Sequence, residues 1–119
     1  MKGAKRRPEQ VAETIRQVIA ESLLGELRDP RIGFVTVTHV QVTGDLSVAT
    51  VRVSVMGDDT ARTEALAGLQ SAAGLLRSRV SKAIATRVVP ELRFELDRGL
   101  AHAARIEQIL ADLREEKGD

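Results

Sequence analysis

The 119-residue chain has no cysteine, no tryptophan, no tyrosine and only two phenylalanines. Without cysteine there is no disulfide scaffold, no thiol nucleophile, no cysteine-ligated zinc and no iron–sulfur cluster. The same absence fits a reducing compartment. Aromatic residues make up 2% of the chain, whereas a module that reads single-stranded bases by stacking needs several exposed rings. Phe34 and Phe94 both fall in strand-like segments where a core needs them, so base-stacking readout is not expected. No stretch approaches the roughly 18 apolar residues of a membrane span. The charged N-terminus runs into Pro8-Glu9-Gln10 with no apolar segment of a signal peptide behind it. A soluble cytoplasmic protein that does not engage membranes is expected.

What is present is enough for one core. The chain is 43% hydrophobic and 29% charged, which suits a single folded domain and not a disordered chain. The net charge is only +1, but it is unevenly spread. Lys2, Lys5, Arg6 and Arg7 open the chain without an acid, and Arg77, Arg79, Lys82 and Arg87 fall in an acid-free stretch from 65 to 90. From 107 to 119 the balance reverses, with Glu107, Asp112, Glu115, Glu116 and Asp119 against Arg114 and Lys117. Such segregation lets one face meet a polyanion while another stays acidic.

Periodicity orders the elements. Pro8 suits the first turn of a helix, where its missing donor costs nothing. Val11, Ile15, Val18, Ile19, Leu23 and Leu27 then recur at helical spacing, and Pro30 ends the helix by Asp29. Residues 34–42 are rich in β-branched side chains and read as a strand. A turn at Thr43-Gly44-Asp45 leads to a second strand, 46–56, with Ala49, Val51, Val53 and Val55 on one face. The short connection makes the pair an antiparallel hairpin. Asp58 and Asp59 offer N-cap side chains. Ala65, Leu66, Leu69, Ala72 and Ala73 follow at helical spacing; Gly74 interrupts, and Leu76, Val80, Ala83 and Ile84 resume it to about Thr86. A glycine inside a helix costs about 1 kcal/mol relative to alanine, which predicts a kink or join there. Residues 92–96 alternate as a strand with one wet face, and Ile106, Ile109, Leu110 and Leu113 mark a C-terminal helix beginning near Leu100. The expected fold is α+β: helix, strand, strand, helix, kink, helix, strand, helix, with a three-stranded sheet and the helices on one face.

Site candidates are few. Arg79 and Lys82 share the side of the second helix opposite its apolar residues, Arg77 lies beside the kink, and Arg87 falls near the helix C-terminus on the apolar side, where it can cap carbonyls. Ala72 and Gly74 are the kink residues; a small residue there lets two helices pack closely. Arg31 is placed to pair with Asp29 or to touch a phosphate. His39 and His102 stand apart from any acid cluster, and N-capping accounts for Asp58-Asp59 more simply than metal binding. The serines have neither a visible base nor a nucleophile elbow. No catalytic residue, metal site or cofactor is expected.

One set of residues carries a resemblance. Asp29-Pro30-Arg31-Ile32-Gly33, Val35-Thr36-Val37-Thr38-His39-Val40, Asp45-Leu46 and Val51-Arg52-Val53-Ser54-Val55 are followed by Ala72-Ala73-Gly74-Leu75-Leu76-Arg77. Arg87-Val88-Val89-Pro90-Glu91-Leu92-Arg93-Phe94, Asp97 and Arg105-Ile106-Glu107-Gln108-Ile109-Leu110 then complete the set. In this order and at these separations they resemble the bacterial ribosome-binding factor A family over roughly residues 8–113. The resemblance implies a type II KH-like domain over 8–115, preceded by a flexible basic arm (1–7) and followed by a short polar tail (116–119). It implies a non-enzymatic assembly factor that binds the free small ribosomal subunit or its precursor; the polar outer faces of the amphipathic helices point to a monomer. Such a factor assists late maturation of 16S ribosomal RNA, including its 5′ end, and is linked to growth in the cold. On that reading Arg77, Arg79, Lys82, Arg31 and Arg87 contact RNA phosphates, and Lys5, Arg6 and Arg7 tether RNA from the arm; ribosomal proteins are further candidate partners. A standard KH Gly-x-x-Gly clamp is replaced here by Ala72-Ala73-Gly74, so KH-style clamping of a single strand does not follow. The alternative is a protein-interaction module, using the sheet face or the acidic C-terminal helix, without direct RNA binding.

Overall fold

The computed structural model describes residues 7–25, 30–84, 87–98 and 108–115. Lys5, Arg6, Leu27, Asp29, Thr86, Leu100 and His102 lie outside the described residues, and with them the basic arm save Arg7, the Asp29 pairing and the start of the last helix.

Helix α1 spans Pro8–Gly25. The Arg7 carbonyl accepts from the amides of Gln10 (3.0 Å) and Val11 (3.1 Å), and the Gln10 side chain accepts from the Arg7 amide at 3.3 Å. These bonds satisfy donors that a helix start otherwise leaves open. Its buried stripe is Val11, Ile15, Ile19 and Ser22.

Strands β1 (Val35–Val42) and β2 (Val48–Val55) form the antiparallel hairpin. At the turn the Asp45 carboxylate accepts from the Ser47 and Thr43 hydroxyls and the Ser47 amide, at 2.7, 2.8 and 3.1 Å. Those donors, the Ser47 hydroxyl foremost, hold its carboxyl below the usual range. Leu46 adopts the left-handed conformation (φ 63°), which costs a non-glycine residue roughly 1–2 kcal/mol and is offset by its packing against the core.

A feature that simple alternation misses sits in β1. Val37 pairs with Val53 and His39 with Arg52, so Thr38 is an extra residue, a β-bulge. Before it Val35 and Val37 turn inward; after it Val40 and Val42 do. The bulge thus shifts the phase by one residue and keeps all four valines on the core side. The Thr38 hydroxyl donates to the Arg52 carbonyl (3.2 Å) and to the Asp97 carboxylate (2.6 Å).

Gly57 takes φ 129°, and a Cβ there would lie 2.8 Å from the Ala61 Cβ; only glycine fits the entry to α2. Helix α2 is Asp59–Ser71, N-capped by Asp58, whose carboxylate accepts from the Ala61 amide at 2.9 Å. Helix α3 is Ala73–Ala83, and β3 is Glu91–Leu96. β3 pairs parallel to β2, giving the order β1-β2-β3 with β2 central. The α2–α3 pair is the crossover that a parallel connection requires. α1 covers β1, α2 covers β3, and α3 packs on α1 and β3. The core is therefore one layer of valine, leucine and isoleucine between sheet and helices, with Val11, Ile15, Val51, Val53, Leu69, Leu76 and Val80 fully buried. Residues 108–115 form a helical segment, α4.

Two expectations need correction. Phe34 is not a core residue but 80% exposed, because it precedes the first inward valine and takes the outward phase. α3 ends at Ala83, where Ile84 turns extended (ψ 140°), so Arg87 is not on a helix but in the loop returning to β3. The C-terminal helix is present over 108–115, but as an element apart from the core, with Ile109, Leu110 and Leu113 each about half exposed.

Candidate nucleic-acid interface

The two helices meet at Ala72, whose amide donates back to the Gly68 and Leu69 carbonyls while its own carbonyl accepts from Leu76. The join is therefore at Ala72, and Gly74 lies in the first turn of α3. A Cβ built on Gly74 meets nothing within 4 Å, so close helix packing does not explain this glycine. The close approach is at Gly68 instead, and to a loop, not a helix: a Cβ there would come within 2.6 Å of Ile32 Cγ1 as the 30–34 loop crosses α2. Sequence spacing marked the wrong glycine because the close neighbour comes from a distant loop.

Gly74, Arg77, Ser78, Ser81, Arg87 and Val89 line an open, shallow concavity between α3 and the loop that leads to β3. Its lining holds two guanidiniums and two hydroxyls and no carboxylate. Arg77 is anchored there by one bond, Nη2 to the Val89 carbonyl at 2.7 Å. That bond fixes the plane of the guanidinium and leaves its remaining donors for an anion. Ser78 and Ser81 were visible in the sequence only as serines without a base; their spacing of three on a basic helix was the signal that the two share a face.

The other candidates fall elsewhere. Arg79 is half-buried, and its Nη1 donates to the hydroxyl of Ser22 on α1 at 3.3 Å. Ser22 is 2% exposed and itself donates to the Val18 carbonyl at 2.8 Å. Arg79 thus ties α3 to α1, and it does not share a solvated face with Lys82, which is exposed in the last turn of α3. Arg31 donates to the Ser71 hydroxyl at 3.0 Å, reaching the end of α2 beside the join. Arg7 is exposed at the start of α1. His39 is exposed on β1, at a shallow cleft shared with Glu9, Glu13 and Arg16 of α1. Among the described residues no three or more His, Cys, Asp or Glu side chains are grouped to hold a metal ion. No described helix is long and apolar enough to cross a membrane.

Two antiparallel strands, a helical crossover and a parallel third strand beneath a helix layer make this an α+β domain of type II KH-like architecture, with a basic concavity at the crossover. The family model for ribosome-binding factor A matches residues 7–110. A ribosome-binding factor A of Desulforamulus reducens is 47% identical over 93% of this chain and 92% of its own length. The crystal structure of ribosome-binding factor A from Thermus thermophilus superposes with a TM-score of 0.68 at 26% identity, over 77% of this chain and 97% of that one. A homology model of Thermus thermophilus ribosome-binding factor A, fitted into a cryo-electron microscopy map of its complex with the 30S subunit, matches with a TM-score of 0.60 at 28% identity, over 72% and 90% of the two chains. The chain belongs to the ribosome-binding factor A family.

Proposed function

We propose that this protein acts as a monomeric assembly factor of the small ribosomal subunit. It binds the free subunit or its precursor and assists late maturation of 16S ribosomal RNA, including the 5′ end, by binding and not by catalysis. The observation that carries the reading is the acid-free concavity, where Arg77 and Arg87 flank Ser78 and Ser81. Two guanidiniums with adjacent hydroxyls suit phosphate oxygens. Family membership, and a relative placed on a 30S subunit, support the choice of polyanion. Phosphate and shape recognition dominate, and the protein favours one arrangement of a ribosomal RNA junction by binding that state more tightly. It leaves when the mature arrangement no longer presents the site.

Cosedimentation with separated ribosomal subunits across a salt series tests this. The expected result is comigration with the small subunit alone, weakening steeply as salt rises. A protein that stays at the top of the gradient at low salt, or that follows the large subunit equally, overturns the reading.

A further inference from the structure

The last described helix is amphipathic, and its apolar side is about half exposed. Leu113 of α4 lies four residues after Ile109 and three after Leu110, so it neighbours both in one apolar stripe, and each of the three is about half exposed. Three large apolar side chains held together in solvent are what a helix offers to a groove. The charges beside them narrow the choice of groove. Asp112 and Glu115 are exposed on the same helix, and the sequence from 107 to 119 carries five acids against two bases. An acidic helix is repelled by RNA phosphates, and two copies laid stripe to stripe would bring like charges together. A surface that joins an apolar groove to lysine and arginine matches both features.

We infer, resting on the small-subunit reading above, that α4 is a docking helix for a basic protein surface of the small subunit, buried through Ile109, Leu110 and Leu113 with Asp112 and Glu115 beside them. The contact is separate from the basic concavity, so the protein engages a subunit with two surfaces of opposite charge. One reads RNA, and the other reads a cationic protein.

The probes are the individual purified proteins of the small subunit, free of RNA, each titrated with the full chain. The expected result is that one basic protein binds, and that Ile109→Ser with Leu113→Ser weakens it by about tenfold or more, the loss expected for leaving two aliphatic anchors unburied. Asp112→Lys with Glu115→Lys weakens it too, whereas Arg77→Ala leaves it unchanged. All of the α4 side chains altered are at the surface, so the variants keep the parent's melting temperature, which is measured alongside. A photo-crosslinker at position 113 then reports the neighbour on the intact subunit. Binding by none of the proteins overturns the inference, as does binding indifferent to the α4 variants. So does a crosslink into RNA, into a second copy or into residues 73–90 of the same chain. Because the titrations contain no RNA, their failure leaves the sedimentation result standing, and the reverse also holds.

Discussion

Arg77 and Arg79 are two positions apart on α3 and end in different places: one on the Val89 carbonyl beside an open concavity, the other on the buried Ser22 hydroxyl of α1. A polar serine in an apolar stripe is tolerable only because it donates to Val18 and accepts from Arg79. Arg79→Ala is expected to lower unfolding stability by about 1 kcal/mol, the net worth of such a bond plus the packing of its stem. Lys82→Ala is expected to stay within about 0.5 kcal/mol of the parent. Urea titration of the two variants separates them; equal stabilities would remove the structural assignment of Arg79. The consequence for mapping is direct. A variant lacking both Arg79 and Lys82 mixes a loss of fold with a loss of charge, whereas Arg77 and Arg87 can be removed from the surface.

At the scale of elements, the Thr38 bulge does the most to set the core. Deleting Thr38 would place either Val35 and Val37 or Val40 and Val42 on the solvent side. The expected cost is about 3 kcal/mol or more, at roughly 1.5–3 kcal/mol for each valine turned outward. Thr38→Ala, which keeps the extra residue and loses only its bonds to Arg52 and Asp97, is expected to cost about 1 kcal/mol. Denaturant unfolding of both variants checks the ordering.

This element also shows what was readable from residues alone. The inward face of β2, the α1 stripe, the Asp58 cap and the break between α2 and α3 all follow from local period and cap chemistry, and all are present. The bulge was written in the sequence as a spacing of three between Val37 and Val40, but a strand read as simple alternation passes over it. The parallel partner of β2 and the meeting of Arg87 with Arg77 each depend on how the chain turns back on itself after α3, whereas the exposure of Phe34 follows from strand phase once the true start of β1 is known. Local pattern does not encode those meetings. The basic character of the 65–90 stretch was legible; which of its cations face solvent was not, because helical spacing says nothing of the Ser22 hydroxyl waiting on a neighbouring helix.

Across the whole molecule, a net charge of +1 hides a basic crossover and an acidic end. Affinity for a polyanion then depends on local contacts and falls with salt in proportion to their number. Replacing Arg77 and Arg87 together with alanine is expected to weaken small-subunit binding and to reduce the slope of log affinity against log salt by about two, one for each phosphate no longer neutralised. Sedimentation of the double variant over the same salt series measures this. An unchanged slope would move the RNA-binding surface away from the concavity.

The central place of β2 has a consequence for how the protein is made. One edge of β2 is satisfied early, by the hairpin partner immediately before it. The other edge must wait for β3, which emerges only after both crossover helices have been synthesised. A nascent or truncated chain therefore carries an open, valine-rich edge, the kind that pairs with a neighbour's strand. That edge of β2 is covered only when β3 arrives.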